Sequence, residues 1–568
     1  MFAARNLTTY LIAGIIWLNL FSTGDLLADE KKSNQQQLKK TAAAKPVFTV
    51  SKETTYVTGP LRKDGTVDYV AALNAAFSRA VTVENNAAVL LSQAVGPNEI
   101  EAWENMPSNL VAEIRTEYFK RLGIAPLPLQ GNYFVSLDKL VQRAVVGKDV
   151  SDNELTKLES QLHRKVLTAQ KEVWEQFDKA QKRTWTAREF PLLAEWLLVN
   201  QEPLQLVQQA CQRTRYYAPL ISGDTEQVPI VAVLLPFLSE YRDLGRALSI
   251  RITFNAAQGN ADEVIEDSIT CHRLGRLIGQ GWSLIDSLVG MAIDSLACQA
   301  NVVAAHYGKL PPDAIEKWRK QLQGLEPLPA VVERINISER FTFLDATMGI
   351  IRFGPIVFNG LAEEGDNDDG SLKNFFSKAM LNTMTDWDAV LRNGNRWYDE
   401  LADAGRMPTY QQRVKAFVEI ERKIDKVIKS SKDPKVLLGS LLTNRKRPGT
   451  VLSNFVSNIL ISMLLPAVDK ATVAEDRMVM RNRLVDVALG LAAYRHETGQ
   501  YPAQLAQLVP KHLANIPEDL FVGKPVRYRR KAQGYLLYSV GPNQKDNGGQ
   551  LERNDVGYQI PVPPQDDR

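Results

Sequence analysis

Cysteine and histidine are scarce in this chain. Three cysteines in 568 residues, Cys211, Cys271 and Cys298, cannot build a disulfide framework. Five histidines are present, and none is spaced for a zinc site. Neither sign of charge dominates: 68 Lys and Arg face 65 Asp and Glu, a net +3. That balance gives no basic footprint for nucleic acid. The patterns H-E-x-x-H, G-x-S-x-G, G-x-G-x-x-G and the Walker loop are all missing. With 34 glycines and 28 prolines, the chain is not collagen-like or low in complexity. What remains is ordinary globular material, 45% hydrophobic and 23% charged. At about 150 residues per domain, the length allows roughly three or four units.

The N-terminus carries a short positive region at Arg5, then an apolar run from Leu7 to Phe21. Such a run is short for a membrane span and suits the apolar part of an export signal. Ala28, or Ser22 with Gly24, offers a place for cleavage, and an uncleaved N-terminal anchor is the alternative. Residues 1–28 are therefore read as signal peptide or anchor, and 29–66 as a linker that begins in a solvated, charged stretch. Export places the protein in the periplasm or cell envelope, with membrane association through the N-terminus as an option. An oxidising compartment permits a Cys271–Cys298 pair. Because all three cysteines sit in apolar helical patterns, three buried thiols are the favoured reading.

Residues 67–448 have helical periodicity. Ser151 and Glu154 make a capping box that opens a long polar helix to about Trp185. Residues 262–307 form the clearest unit. Val264, Ile265, Ile269, Leu274, Leu277 and Ile278 mark one apolar face. Gly279-Gln280-Gly281 breaks the helix. Ile285, Leu288, Val289, Ala292, Ile293, Leu296 and Ala300 mark a second face. Two amphipathic helices with so short a link fold back as a hairpin. A run of such hairpins suggests a solenoid-like body, although the tetratricopeptide signature is absent. His272 reads as a hydrogen-bonded core residue, and His306 as a helix-end residue serving the dipole. Glu263, Glu266 and Asp267 read as a charged outer face. The acidic stretch Gly360 to Ser371 reads as a solvated loop. In the segment Val451 to Val468, apolar residues from Leu452 to Leu464 recur at helical spacing. Ser453, Asn454, Ser457 and Asn458 stand opposite them, which predicts one-sided burial against protein.

The last 110 or so residues carry a denser pattern. It runs through Tyr494, Gly499, Tyr501-Pro502, Leu505, Leu508, Pro510, Ile516-Pro517, Asp519, Gly523, Tyr528, Tyr538-Ser539, Gly541, Asp546, Gly548-Gly549 and Asp555-Val556. In this order the set resembles the C-terminal domain of the major pseudopilin of type II secretion systems. The prepilin processing site is not matched: the pilin-like helix is internal, and Gly449 precedes Thr450. The layout as a whole resembles uncharacterised exported bacterial proteins ending in such a module. The resemblance implies a calcium ion in the loop after the Tyr-Ser-x-Gly strand, held by Asn543, Asp546 and Asp555. A plain Gly/Asn turn with solvated acids is the competing reading.

Together these readings predict a mainly α protein. A helical-hairpin, solenoid-like body is followed, over residues 449–568, by a pilin-like helix and a small α+β pseudopilin-like domain. No catalytic residue stands out. The expected function is that of an exported, non-enzymatic interaction or scaffold protein with a protein partner and no nucleic acid. An accessory part of a secretion or pilus-like machine and an envelope hydrolase are the alternatives.

Overall fold

The computed structural model describes residues 47–97, 108–147, 160–221, 230, 237–354, 384–431, 448–464, 468–551 and 554–563. The expected export signal, the expected Ser151 capping box and the acidic stretch 360–371 lie outside the described residues.

The fold is mainly helical. The first half contains α1 (Tyr69–Phe77), α2 (Ala87–Val95), α3 (Ser108–Leu122), α4 (Leu137–Val146), α5 (Ser160–Ala180), α6 (Pro191–Val199) and α7 (Gln201–Ala210). Then come α8 (Leu238–Gln258), α9 (Ala261–Ile278), α10 (Leu284–Tyr307), α11 (Pro312–Gln323) and α12 (Val331–Arg334). One π-helical turn, Ile335–Glu339, joins α12 to α13 (Arg340–Phe353). The remaining helices are α14 (Trp387–Gly405), α15 (Tyr410–Ser431), α16 (Pro448–Leu464) and α17 (Val468–Thr498). Short polar residues start many of them. The side chains of Asp68, Asn86, Ser136, Ser283 and Asp386 each accept a first-turn amide. Left-handed Gly147 and Gly259 end α4 and α8.

Helices α8, α9 and α10 pack against one another, and α17 packs on α10. The buried apolar residues form two large cores, and α9 and α10 contribute to both. The α9–α10 hairpin turns at Gly279–Gln280–Gly281, where the sequence places the break. Its two helices cross closely at Gly275 and Gly290. A Cβ at Gly275 would lie 2.6 Å from the Gly290 carbonyl oxygen, so only glycine fits the crossing.

The buried face of α10 differs from the sequence expectation. Ile285 is 44% exposed, and Leu288, Val289, Ala292 and Leu296 are only half-buried. Ile293 and Ala300 are buried as expected, and beside them the interior side carries Asp286, Ser287, Gly290, Asp294, Cys298 and Asn301. Small residues allow the close crossing, and partnered polar ones tolerate burial. Asp267, expected on an outer face, is also buried. Ser453 and Ser457 of α16 are buried too. Ser453 Oγ accepts from the Asp386 amide at 2.8 Å, and Ser457 Oγ accepts from Asn393 at 2.6 Å. Residues 47–66 were expected as linker, yet this segment packs onto the body. Phe48, Thr54 and Thr55 are buried, and Asn395 donates to the Glu53 and Thr54 carbonyls.

The C-terminal part holds a small sheet region, as expected. β1 (Glu518–Asp519) pairs with β2 (Lys524–Pro525). β3 (Arg527–Lys531), β4 (Gly534–Ser539) and β5 (Val556–Ile560) form an antiparallel sheet in the order β3-β4-β5. Its register sets Arg527 and Gly557 on either side of Tyr538. β4 is fully buried, and both α17 and α10 pack on β5. The tail is thus joined to the body through shared core rather than hung from it.

Candidate functional site

The richest cluster of chemistry-bearing side chains lies inside the α9–α10 hairpin. His272 and Asp294 are completely buried. His272 stands two turns along the buried side of α9 from Ile265, so the helix period places it inward. Its Nδ1 lies 2.6 Å from Asp294 Oδ1, and Arg276 donates to the same oxygen. Asn482, on α17, donates to Asp294 Oδ2 at 2.7 Å. Asn301 Nδ2 lies 2.9 Å from His272 Nε2. Burial alone would raise the Asp294 carboxyl. The His272 ring, the Arg276 charge and the Asn482 amide hold it at about 2. One turn before Cys271, Asp267 is bound by Arg251, by Asn255 at 3.1 Å and by Gln208 at 3.3 Å.

His272, Asp294 and Cys298 bring their potential ligand atoms within 4.8 Å of one another. The residues around them do not suit a cation. Both Asp294 oxygens are occupied, one of them by a guanidinium. Burial and the Asp294 charge push the Cys298 thiol well up, away from the thiolate that metals bind. The cluster instead ties α9, α10 and α17 together. All three cysteines are buried and free.

A shallow cleft opens at the hairpin turn, walled by Phe77, Tyr216, Tyr217, Gln280, Trp282 and Asp286, with room for about one water at ≈ 20 Å³. Asp286 belongs to the capping box of α10. Ser283 N and Oγ donate to its Oδ2 at 2.8 and 2.6 Å. Burial pushes its carboxyl up to about 6 in spite of those bonds. Gln280 is spent on Tyr216 N and the Thr214 carbonyl, and the Tyr217 hydroxyl on Asn74. Arg334 lies 5.2 Å from the Phe77 ring centroid and supplies the nearby positive charge. The cleft therefore presents one carboxyl of raised pKa on an aromatic wall. Trp397 and Tyr398 are packed in the core.

The three residues named for calcium sit in the loop between β4 and β5. Asn543 Oδ1 accepts from the Lys545 amide, and its Nδ2 donates to Asn547. Asp546 accepts from the Tyr538 hydroxyl and the Gly548 amide, both at 2.9 Å. Asp555 Oδ2 accepts from the Gly549 and Gln550 amides, while its Oδ1 is buried without a partner. Among the described residues, Asp555 Oδ1 is the one of these side-chain oxygens that is buried without a hydrogen-bond partner.

A second histidine departs from expectation. His306 Nδ1 lies 2.6 Å from the Tyr501 hydroxyl and 3.1 Å from Arg495, and its ring stacks on Tyr501. Burial, with the Arg495 charge, lowers it to about 4. At neutral pH it is an uncharged acceptor, so it does not serve the helix dipole as a cation. Sequence offered no signal for this contact, whose partners lie 195 residues apart. No family model, curated protein or solved structure matches the chain.

Proposed function

We propose that the chain is an exported, non-enzymatic interaction or scaffold protein of the bacterial cell envelope. The helical body is the binding surface, and a pseudopilin-like tail stabilises and presents it. The observation that carries this reading is the use to which the His272–Asp294 cluster is put. The residues best equipped for acid–base work are sealed from solvent and spent on joining three helices, one of them from the tail. A catalytic acid–base pair has to come within hydrogen-bond reach of its substrate. The stripe Ile285, Leu288, Val289, Ala292 and Leu296, exposed at Ile285 and partly buried elsewhere, is the apolar face through which the body would contact a protein.

The test is site-specific photocross-linking from position 285 in the full-length chain, with fractionation of the producing cells. A discrete cross-linked protein in the envelope fraction supports the reading. A chain confined to the cytosol overturns it. Cross-links to pseudopilins favour the accessory-component alternative. Hydrolysis abolished by Asp286→Asn favours the hydrolase.

The unpartnered Asp555 Oδ1 favours a second reading for the tail loop, a calcium ion between β4 and β5. Asp546 would then have to release Tyr538 and Gly548. Isothermal titration of the full chain with calcium tests this, with Asp555→Asn as control. Absence of binding heat and an unshifted melting temperature retire the ion.

A further inference from the structure

The outer strand of the tail sheet has a chemistry that neither the core nor the loop accounts for. β3 reads Arg-Tyr-Arg-Arg-Lys, from Arg527 to Lys531, and among the described residues it pairs with β4 alone. In an antiparallel pair, alternate residues of an outer strand turn their amide and carbonyl groups away from the partner. The free edge of β3 therefore offers a row of backbone donors and acceptors.

Side chains alternate across the strand. Tyr528 and Arg530 point to one face, where the Tyr528 hydroxyl donates to the Pro502 carbonyl at 2.8 Å and Arg530 to the Tyr501 carbonyl at 3.2 Å. Arg527, Arg529 and Lys531 share the other face. Arg527 and Arg529 are exposed, and Lys524 of β2 is exposed nearby in sequence. Among the described residues, the acid that pairs with this face is Asp546, 3.5 Å from Arg527 and already bound by Tyr538 and Gly548. Positive charge on this edge is thus in excess, although the whole chain is nearly neutral.

We infer that the β3 edge binds an extended acidic segment of a partner protein by strand addition, with Arg527, Arg529 and Lys531 pairing its alternate carboxylates. Two features select this partner. The same charges repel a second copy of β3, so self-pairing is disfavoured. The exposed main-chain row rewards a strand rather than a point anion, and a strand bearing acids at every second residue meets both features at once. The inference rests on the interaction reading above and assigns the tail a partner of its own.

The experiment uses the full chain and a fluorescent peptide of alternating Glu and Val, read by anisotropy at low salt. Binding is expected, and it weakens as salt screens the charges. A peptide of the same sequence, N-methylated on alternate amides, should bind about tenfold more weakly or worse, because one edge of its ladder is blocked. The Arg529→Glu, Lys531→Glu double variant should lose a similar factor, with its melting temperature checked against the parent. Equal binding of the methylated peptide overturns strand addition on the unaltered protein, even if the double variant fails to fold. Binding to anionic phosphatidylglycerol vesicles, but not to the peptide, overturns the partner class in favour of a membrane surface. Failure of the peptide while position 285 still cross-links to a partner removes this inference and leaves the scaffold reading in place.

Discussion

Asp294 is the residue on which His272, Arg276 and Asn482 converge. Replacing it with Ala leaves the Arg276 guanidinium and the His272 ring facing an uncharged gap. Removing one member of a buried ion pair costs about 3–5 kcal/mol, so D294A should shift the urea midpoint well down with an unchanged slope. The pH dependence has a definite sign. The folded carboxyl titrates at about 2, against 3.8 in the open chain. Its contribution is complete above pH ~4 and is lost as pH falls toward the folded value. Glu339 and Glu475 work in the opposite sense. Burial raises each to about 7, from 4.5. A raised carboxyl stabilises fully below its open-chain value, and that stability drains away as pH rises to 7. The expected result is that Glu339→Gln raises the melting temperature at pH ~8 and changes it little at pH ~5. A drop at both values would show that the carboxylate accepts something beyond the Leu284 amide.

Among the elements, the α9–α10 hairpin shows both how far sequence reasoning reaches and where it stops. Its existence, its turn and the inward face of α9 follow from apolar spacing and the Gly-Gln-Gly break. The inward face of α10 does not. Its periodic apolar residues point partly outward, because the crossing at Gly275 and Gly290 selects for small size rather than hydrophobicity. Partners far along the chain, such as Asn482 for Asp294, make buried acids acceptable. The same cause hid the candidate cluster. His272 is legible as a core residue, while Asp294, Asn301 and Asn482 gain meaning only when three helices meet. Apolar spacing likewise sets Ser453 and Ser457 on an outer face, because nothing local marks Asp386 and Asn393 as their partners. The crossing itself is testable. Gly290→Ala drives a methyl into the Gly275 backbone, and overpacking of this kind costs about 1–3 kcal/mol. Thermal melting of G290A should show that loss, and an unchanged melt would mean the helices separate freely.

In the whole molecule, the tail and the body share structure. Asn482 enters the α9–α10 cluster, Arg319 donates to Asp486 of α17 at 2.7 Å, and Arg495 and Tyr501 close over His306. Truncation after residue 464 removes α17 and leaves Asp294 with one oxygen uncovered. Such a fragment should lack a cooperative unfolding transition in calorimetry, whereas the full chain should lose its tail and its body together. Two separate transitions in the full chain would contradict the shared core. Residues 48–55 are fixed to the body as well. Phe48 is buried, the Thr49 amide donates to Asp388, and Asn395 grips the backbone at Glu53 and Thr54. A fluorophore attached at Val47 should therefore tumble at the pace of the entire particle, making that position a rigid handle for measuring how the molecule is oriented on whatever holds it.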